Sequence, residues 1–196
     1  MPATPSNPLD LGAPAPAFAL PEPLTGQIIE LEDVAAGASA VLLAFLSNRC
    51  PYVLLIQDAL NTLAREYADR GVRVVGINSN AQEVKAEESA EHVALHAREH
   101  GFVFPYLRDE SQDVARAYDA ACTPDLYLYD ASLRLYYHGQ FDAARPNANT
   151  PVTGEDLRAA LDALLAGEPA PARQIPSVGC NIKWREGDAH GVLQAA

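Results

Sequence analysis

Cys50 is the residue whose type and position in this sequence are best suited to chemistry. The apolar run V-L-L-A-F-L at residues 41–46 predicts a strand buried on both faces. Pro51 follows Cys50 directly, and apolar side chains then recur every three to four residues up to Tyr67, which predicts a helix. Cys50 should therefore stand at the helix start, open to solvent, where backbone N–H groups and the helix dipole favour the thiolate. A thiolate attacks peroxides and disulfides, and the neighbouring Arg49 would favour the same ionised form.

Two further cysteines, Cys122 and Cys180, raise the question of which thiols react. Three cysteines form at most one internal disulfide and leave one thiol over, so they do not make a disulfide framework. In a reducing compartment, cysteines are more often packed side chains, metal ligands or redox-active groups than structural disulfides. A purely packing role is the alternative interpretation for each of the three.

The composition excludes several classes of partner and location. The chain has 196 residues, of which 48% are hydrophobic, and its formal net charge is −12. A charge of this sign argues against binding to nucleic acid or to anionic membranes. No apolar run approaches the roughly 18 residues of a membrane span. Residues 1–10 have neither the basic region nor the apolar core of a secretory signal, so we expect a cytoplasmic protein.

The elements that must position Cys50 follow the order β-α-β-α-β, then β-β-α. The early alternation predicts parallel strands with right-handed crossovers, and a late hairpin adds antiparallel strands. The expected fold is α/β, a mixed sheet with helices on both faces. We divide the chain into an irregular N-terminal arm at 1–10, a domain at 11–167 that begins with a small hairpin, and a Pro-rich C-terminal extension at 168–196 without a regular pattern.

The remaining elements are predicted from apolar spacing and from residues that start or end helices. Ser89 is expected to cap one helix and Thr153 another. The predicted strands lie at 72–77, 103–107, 126–129 and 133–137, and the predicted helices at 89–100, 112–118 and 153–166.

Four segments together resemble the thioredoxin-fold superfamily in its peroxiredoxin-like branch, the alkyl hydroperoxide reductase and thiol-specific antioxidant group. They are L-G-A-P-A-P-A-F-A-L at 11–20, F-L-S-N-R-C-P-Y-V at 45–53, C-T-P-D at 122–125 and G-C-N-I-K-W at 179–184. The last is similar to the G-C-x-I-K-W tail of one subgroup. The resemblance covers 11–184 and implies a thioredoxin-like fold, thiol-dependent redox chemistry and no bound cofactor.

The resemblance assigns roles to the residues around Cys50, and the departures from it are informative. Cys50 matches the cysteine that attacks peroxide in the pattern T/S-x-x-C-P, and Ser47 matches the hydroxyl residue that can bond the sulfur or the peroxide. Because the subgroup usually shows C-x-x-C-P-Y, Ser47 also removes dithiol exchange through one C-x-x-C. The family's proline before the hydroxyl residue is replaced by Leu43, and Pro124 stands where an arginine is expected. Arg49 could supply that missing charge.

The same resemblance implies the partners of Cys50. Cys122, beside a proline that should be cis, and Cys180, in the extension, are both candidates for a resolving cysteine. The oxidant would be a hydroperoxide or a protein disulfide, and the reductant a thioredoxin-type or low-molecular-weight thiol. Whether the protein forms a homodimer is left open. The alternatives are a single-cysteine disulfide exchanger and a non-catalytic redox-sensing or binding protein. The residues expected to line the site are Pro51, Tyr52, Thr123 and Pro124.

Three other groups of polar residues could serve the site. The histidines His92, His96 and His100 share one helix face, but a solvated polar face is favoured over a metal site, and no metal is expected. The stretch at 78–80 ends a strand at the same sheet edge as Cys50, although a plain polar loop is favoured. Residues 183–184 are expected only to fix the tail.

Overall fold

A five-stranded mixed sheet forms the centre of the molecule. A computed structural model describes residues 3–186. Its strands are β4 (Ala40–Phe45), β5 (Val72–Asn78), β6 (Tyr106–Arg108), β8 (Asp125–Asp130) and β9 (Leu135–His138). Their order in the sheet is β6-β5-β4-β8-β9. Strands β4, β5 and β6 pair parallel, whereas β8 pairs antiparallel with both β4 and β9, as the sequence predicts.

Helices cover both faces of this sheet, and the side chains of β4 show why. The helices are α1 (Leu31–Ala35), α2 (Pro51–Ala68), α3 (Ala90–Glu99), α4 (Asp113–Ala117) and α5 (Glu155–Leu165). Every residue of β4 is buried, and alternate side chains enter two different cores. Leu42 packs in the core formed with α2, α3 and α5, whereas Leu43 packs in the core formed with α1 and α4.

The predicted helix starts are partly correct. Ser89 caps α3, since its hydroxyl accepts a hydrogen bond from the backbone N–H of His92. Thr153 does not occupy the cap of α5: that position belongs to Gly154, whose positive φ of 69° turns the chain into the helix. The Thr153 hydroxyl still accepts the N–H of Glu155 at 3.3 Å, so it satisfies a helix donor from one residue further out.

The strands predicted at 103–107 and 133–137 begin later in the structure, at Tyr106 and at Leu135. The leading hairpin is present as β2 (Ala19–Glu22) and β3 (Gln27–Glu30), paired antiparallel. The strand predicted at 103–107 begins only at Tyr106, because Pro105 has no N–H to donate to a ladder. Among the described residues, no helix is long and apolar enough to cross a bilayer.

A second, three-stranded sheet joins the arm, the extension and the loop before β8. Its order is β1-β10-β7, with β1 (Thr4–Pro5), β7 (Cys122–Thr123) and β10 (Val178–Asn181). The predictions of an irregular arm and of an extension without a regular pattern are therefore wrong at these positions. Strands of two to four residues are too short to show periodicity, and their partners are remote in sequence. Residues 1–2 and 187–196 of the arm and the extension lie outside the described residues.

Candidate active site

Cys50 lies at the N-cap of α2, as its position before Pro51 predicts. Pro51 begins the helix, and the carbonyl of Cys50 accepts the N–H of Leu54 at 2.9 Å. The Cys50 thiol donates to the backbone carbonyl of Thr123 at 2.9 Å. The residue is only 3% exposed, so the prediction of an open sulfur is wrong. The loop that carries Thr123 lies against the sulfur, and access is through a pocket that Cys50 itself lines.

The loop at Thr123 has the cis peptide bond that the family resemblance implies, between Thr123 and Pro124. The next residue, Asp125, is fully buried and holds this loop in place. One of its oxygens accepts the N–H of Ala121 at 3.2 Å, and the other lies 2.8 Å from Nε2 of His138. These bonds fix the carbonyl of Thr123 against Cys50.

Ser47 connects the start of α2 to a buried carboxylate. Its Oγ accepts the backbone N–H groups of Cys50 at 3.1 Å and of Arg49 at 3.2 Å. The same hydroxyl donates to Oε1 of Glu88 at 2.6 Å, so its one proton is directed away from the sulfur of Cys50. In this structure Ser47 therefore orients the backbone before α2, and its hydroxyl does not donate to the thiol.

Glu88 is the site residue that the sequence does not reveal. It is 1% exposed, and its Oε2 accepts the N–H of Asn48 at 3.0 Å and Nδ2 of Asn78 at 2.6 Å. With the bond from Ser47, the carboxylate accepts three hydrogen bonds, which is the pattern of an ionised group. Glu88 stands in the polar stretch before α3 among other acidic residues, so no local signal distinguishes it.

Cys180 lies next to Cys50 because of the pairing of β10 with β7. The register places Cys180 opposite Thr123, whose carbonyl contacts the Cys50 sulfur. Burial, followed by a hydrogen bond with Cys50, raises the pKa of Cys180 to about 11. Both cysteines line one pocket of about 170 Å³, and Cys180 is the more exposed of the two.

Cys122 has a different environment from the other two thiols. It is fully buried, it does not line the pocket of Cys50, and its thiol is directed to the carbonyl of Pro124 at 3.6 Å. Burial raises its pKa well above the usual range, and the nearby charge of Asp125 acts in the same direction. The structure thus brings Cys180, rather than Cys122, into the pocket of Cys50.

Charged side chains surround the pocket of the two thiols. Arg49 lines it with its side chain 64% exposed, and Nη1 lies 3.7 Å from Oε1 of Glu87. Lys85 also lines the pocket. Lys183 lines it from the extension, where its Nζ donates to the backbone carbonyl of Asn181 at 2.6 Å, and its charge favours the thiolate of Cys180.

The four residues expected to line the site divide between two pockets. Pro51 and Thr123 line the pocket of Cys50, whereas Tyr52 and Pro124 line a neighbouring pocket of about 20 Å³. Successive helical residues are rotated by about 100° around the axis, so Tyr52 faces a different direction from Pro51.

The polar groups noted in the sequence have mostly structural roles. Of the residues 78–80, only Asn80 lines the pocket. His96 is partly buried against Phe102, and the centroid of its ring lies 4.3 Å from that of His100. The prediction of a fully solvated histidine face is therefore wrong. Within residues 3–186, no group of three or more His, Cys, Asp and Glu side chains could hold a metal.

The arrangement is suited to two-electron thiol chemistry. A thiol at a helix start is exposed to backbone dipoles that stabilise its anion, and a second thiol in the same pocket can form a disulfide with it.

Several solved structures are similar to this chain. A hypothetical protein from Sinorhizobium meliloti 1021 is 50% identical, with 94% of this chain and 100% of that chain covered and a TM-score of 0.91. An uncharacterized conserved protein from Geobacillus kaustophilus is also 50% identical, with 95% and 98% covered and a TM-score of 0.92. Peroxidoxin BcpB from Mycobacterium tuberculosis shares the fold at 19% identity, with 80% and 94% covered and a TM-score of 0.57.

No curated protein matches the sequence significantly. The model of the AhpC/TSA family matches residues 11–138, which is more than half of the chain and contains Cys50 and the cis-proline loop. The fold and the family together confirm the thioredoxin-like, peroxiredoxin-like prediction. The chain therefore belongs to the AhpC/TSA family and is a thiol-dependent oxidoreductase.

Proposed function

We propose that this protein reduces small hydroperoxides, with Cys50 as the attacking thiol and Cys180 as the thiol that resolves the oxidised sulfur. The observation that carries the proposal is the shared pocket: Cys50 at the start of α2 and Cys180 on β10 line the same cavity. The volume of about 170 Å³ favours a small oxidant over a folded protein substrate.

The reaction has two steps before the external reductant enters. The Cys50 thiolate attacks the outer oxygen of the hydroperoxide, the O–O bond breaks, and an alcohol or water leaves after taking up a proton. The sulfur is then a sulfenic acid. The Cys180 sulfur attacks it, an S–S bond forms, and the oxygen leaves as water with the proton of the Cys180 thiol. Two electrons have passed from the two thiols to the peroxide.

The neighbouring residues supply position and charge in this proposal. Ser47 and Glu88 orient the N–H groups at the start of α2 around Cys50. Arg49 supplies positive charge at the rim of the pocket, where negative charge develops on the leaving oxygen. A thioredoxin-type or low-molecular-weight thiol in a reducing cytoplasm would return the two electrons, and the mechanism requires no bound cofactor.

The test combines stopped-flow consumption of hydrogen peroxide with peptide mapping after one equivalent of oxidant. We expect the wild type to form a Cys50–Cys180 disulfide and Cys50→Ser to consume no peroxide. Cys180→Ser should keep the first turnover but accumulate a Cys50 sulfenic acid. Cys122→Ser is the matched control and should behave as the wild type does. A disulfide between Cys50 and Cys122, or peroxide consumption that survives Cys50→Ser, would contradict the proposal.

Disulfide exchange through Cys50 alone is a second candidate. One observation favours it. Among the described residues that line the pocket, Arg49 is the single arginine, and its guanidinium contacts Glu87, which leaves less positive charge for the leaving oxygen of a peroxide. Trapping of mixed disulfides on Cys50, together with peroxide consumption no faster than that of free cysteine, would favour this candidate. If Cys50→Ser changes neither activity, a non-catalytic redox-sensing role is the remaining interpretation.

A further inference from the structure

Both lysines of the sequence line the pocket that Cys50 and Cys180 share. The chain has a formal net charge of −12, and all its other basic side chains apart from histidine are arginines. Lys85 lies in the stretch between β5 and α3, whereas Lys183 follows β10, so the two are far apart in the sequence. The fold nevertheless brings both to one cavity. Positive charge is thus concentrated at the thiols of an otherwise acidic protein.

Acidic residues neutralise only part of this charge. Among the described residues that line the pocket, three are positive and two, Glu87 and Glu88, are negative, which leaves one net positive charge. Arg49 lies 3.7 Å from Glu87, and the buried Glu88 already accepts three hydrogen bonds. Within the part of the chain that the structure describes, neither Lys85 nor Lys183 forms an ion pair. The two ammonium groups are therefore available to an anion in the pocket.

Lys183 is held at the wall of the pocket with one donor left over. Its backbone N–H donates to Oδ1 of Asn80 at 2.9 Å. Its Nζ donates to the carbonyl oxygen of Asn181 at 2.6 Å and to Oδ1 of the same residue at 3.0 Å. Because an ammonium group has three N–H donors, the third can bind an oxygen atom of a ligand.

Two residues that line the pocket each have a buried polar atom without a hydrogen-bond partner among the described residues. These atoms are Nδ2 of Asn80, a residue that is 2% exposed, and Oγ1 of Thr123, a residue that is 1% exposed. Buried polar groups are nearly always paired in folded proteins, so both are suited to a bound molecule that carries oxygen atoms. Asn80 contacts Lys183, whereas the carbonyl of Thr123 contacts the sulfur of Cys50.

We infer that this pocket selects hydroperoxides that carry a carboxylate, which Lys85 and Lys183 bind while the peroxide group reaches Cys50. The inference rests on the proposed function and adds the class of substrate. One net positive charge matches a monoanion, and a volume of about 170 Å³ favours a short carbon chain. A neutral hydroperoxide of the same size would leave both ammonium groups without a partner.

The carboxylate takes no part in the bonds that form and break. The Cys50 thiolate attacks the outer peroxide oxygen, the O–O bond breaks, and the inner oxygen takes up a proton. The sulfur becomes a sulfenic acid, and the substrate leaves as a hydroxy carboxylate. Two electrons pass from the sulfur to the peroxide. Binding at the charged end holds the reacting oxygen near the sulfur, which raises the rate by proximity.

The experiment compares two hydroperoxides that differ in charge. The anion is 3-hydroperoxy-3-methylbutanoate, and its methyl ester is the neutral counterpart with the same carbon skeleton around the peroxide. The rate of Cys50 oxidation in the full-length protein is followed by stopped flow. We expect the second-order rate constant for the anion to exceed that for the ester by about five-fold. High salt should reduce this ratio, because it screens the charges.

Replacement of either lysine tests whether these residues cause the preference. Lys85→Gln and Lys183→Gln should each lower the ratio of the two rate constants towards one. Arg73→Gln is the matched control, since it also removes one positive charge. Arg73 is exposed and lies on β5 opposite Val41, at the end of the sheet away from Cys50. The ratio should not change in this variant.

Alkylation of Cys180 supplies a second measurement that requires no peroxidase activity. Iodoacetate is an anion and iodoacetamide is its neutral counterpart, so the ratio of their rates reports the charge around the thiol. We expect this ratio to be higher at Cys180 than in free cysteine, and to fall in Lys85→Gln and Lys183→Gln.

The outcomes separate this inference from the proposed function. Equal rates for the two hydroperoxides, or a ratio that survives both lysine replacements, would overturn the inference while the proposed function stands. If neither hydroperoxide oxidises Cys50, the proposed function fails. In that case a raised alkylation ratio at Cys180 would still support anion binding by the lysines, and a ratio equal to that of free cysteine would overturn it.

Discussion

Replacement of Glu88 by glutamine tests whether the buried carboxylate holds the start of α2. The carboxylate accepts hydrogen bonds from Ser47, from the backbone N–H of Asn48 and from Asn78. A glutamine has one oxygen and one NH2 group, so one side of the network must meet a donor instead of an acceptor. Ser47 cannot relieve this by accepting, because its oxygen already accepts two N–H groups.

The expected loss follows from the number of bonds affected. Hydrogen bonds to charged groups contribute about 1.5–3 kcal/mol each, and a buried donor left unpaired costs a further amount of similar size. We expect Glu88→Gln to lower the free energy of unfolding by about 2–4 kcal/mol. With a urea m-value of about 2 kcal/mol/M, the unfolding midpoint should fall by roughly 1–2 M.

The assay is urea unfolding followed by far-ultraviolet circular dichroism, together with the rate of Cys50 oxidation by peroxide. Glu87→Gln is the matched control, since Glu87 is the adjacent residue in the sequence but its side chain is 43% exposed and lies 3.7 Å from Arg49 in an ion pair. Its midpoint should not move. If the midpoint of Glu88→Gln equals that of the wild type, the argument that this carboxylate supports the site is refuted.

Two further predictions concern the extension and the pH dependence of stability. Gly179→Ala should destabilise the protein by about 1–3 kcal/mol and accelerate alkylation of Cys50, because a Cβ forces β10 away from the loop. Gly37→Ala is its control: Gly37 has a φ of 70° and no neighbour within 4 Å, so stability should fall without a change in alkylation rate. Burial, with the charge of His100, lowers the pKa of His96 from 6.5 to about 4. The neutral form of His96 therefore contributes stability that is complete above pH 6.5 and is lost as the pH falls towards 4. The loss amounts to at most about 3 kcal/mol. In urea titrations, His96→Phe should remove this part of the dependence of the unfolding free energy on pH. An unchanged slope, or an alkylation rate in Gly179→Ala equal to that of the wild type, would contradict the respective argument.

The position of Cys50 could be predicted because its signals are local. A buried strand, a proline at the first helical position and regular apolar spacing all lie within a few residues of it. The mixed sheet follows from the order of strands and helices for the same reason. The cis bond before Pro124 came from the family resemblance, since the residues around it do not require that isomer.

The parts of the site that could not be predicted depend on contacts between remote residues. Ser47 and Glu88 are 41 positions apart, and nothing near Glu88 distinguishes it from its acidic neighbours. Cys180 reaches the pocket of Cys50 on β10, a strand of only four residues in which Gly179 and Asn181 are types that do not favour strands. The sequence therefore could not choose between Cys122 and Cys180 as the partner of Cys50, and the role of either stays a prediction.

The strand that carries Cys180 also has consequences for how the molecule is made. On its other side it pairs with Thr4–Pro5, so residues that are far apart in the sequence meet in one small sheet beside the reactive sulfur. The five strands of the central sheet all lie before residue 139, so during synthesis they can pair while this small sheet still lacks its middle strand. A nascent chain would thus expose Cys50 more than the finished protein, in which this residue is 3% exposed, and bulky fusions attached before Thr4 would disturb the pairing of the small sheet.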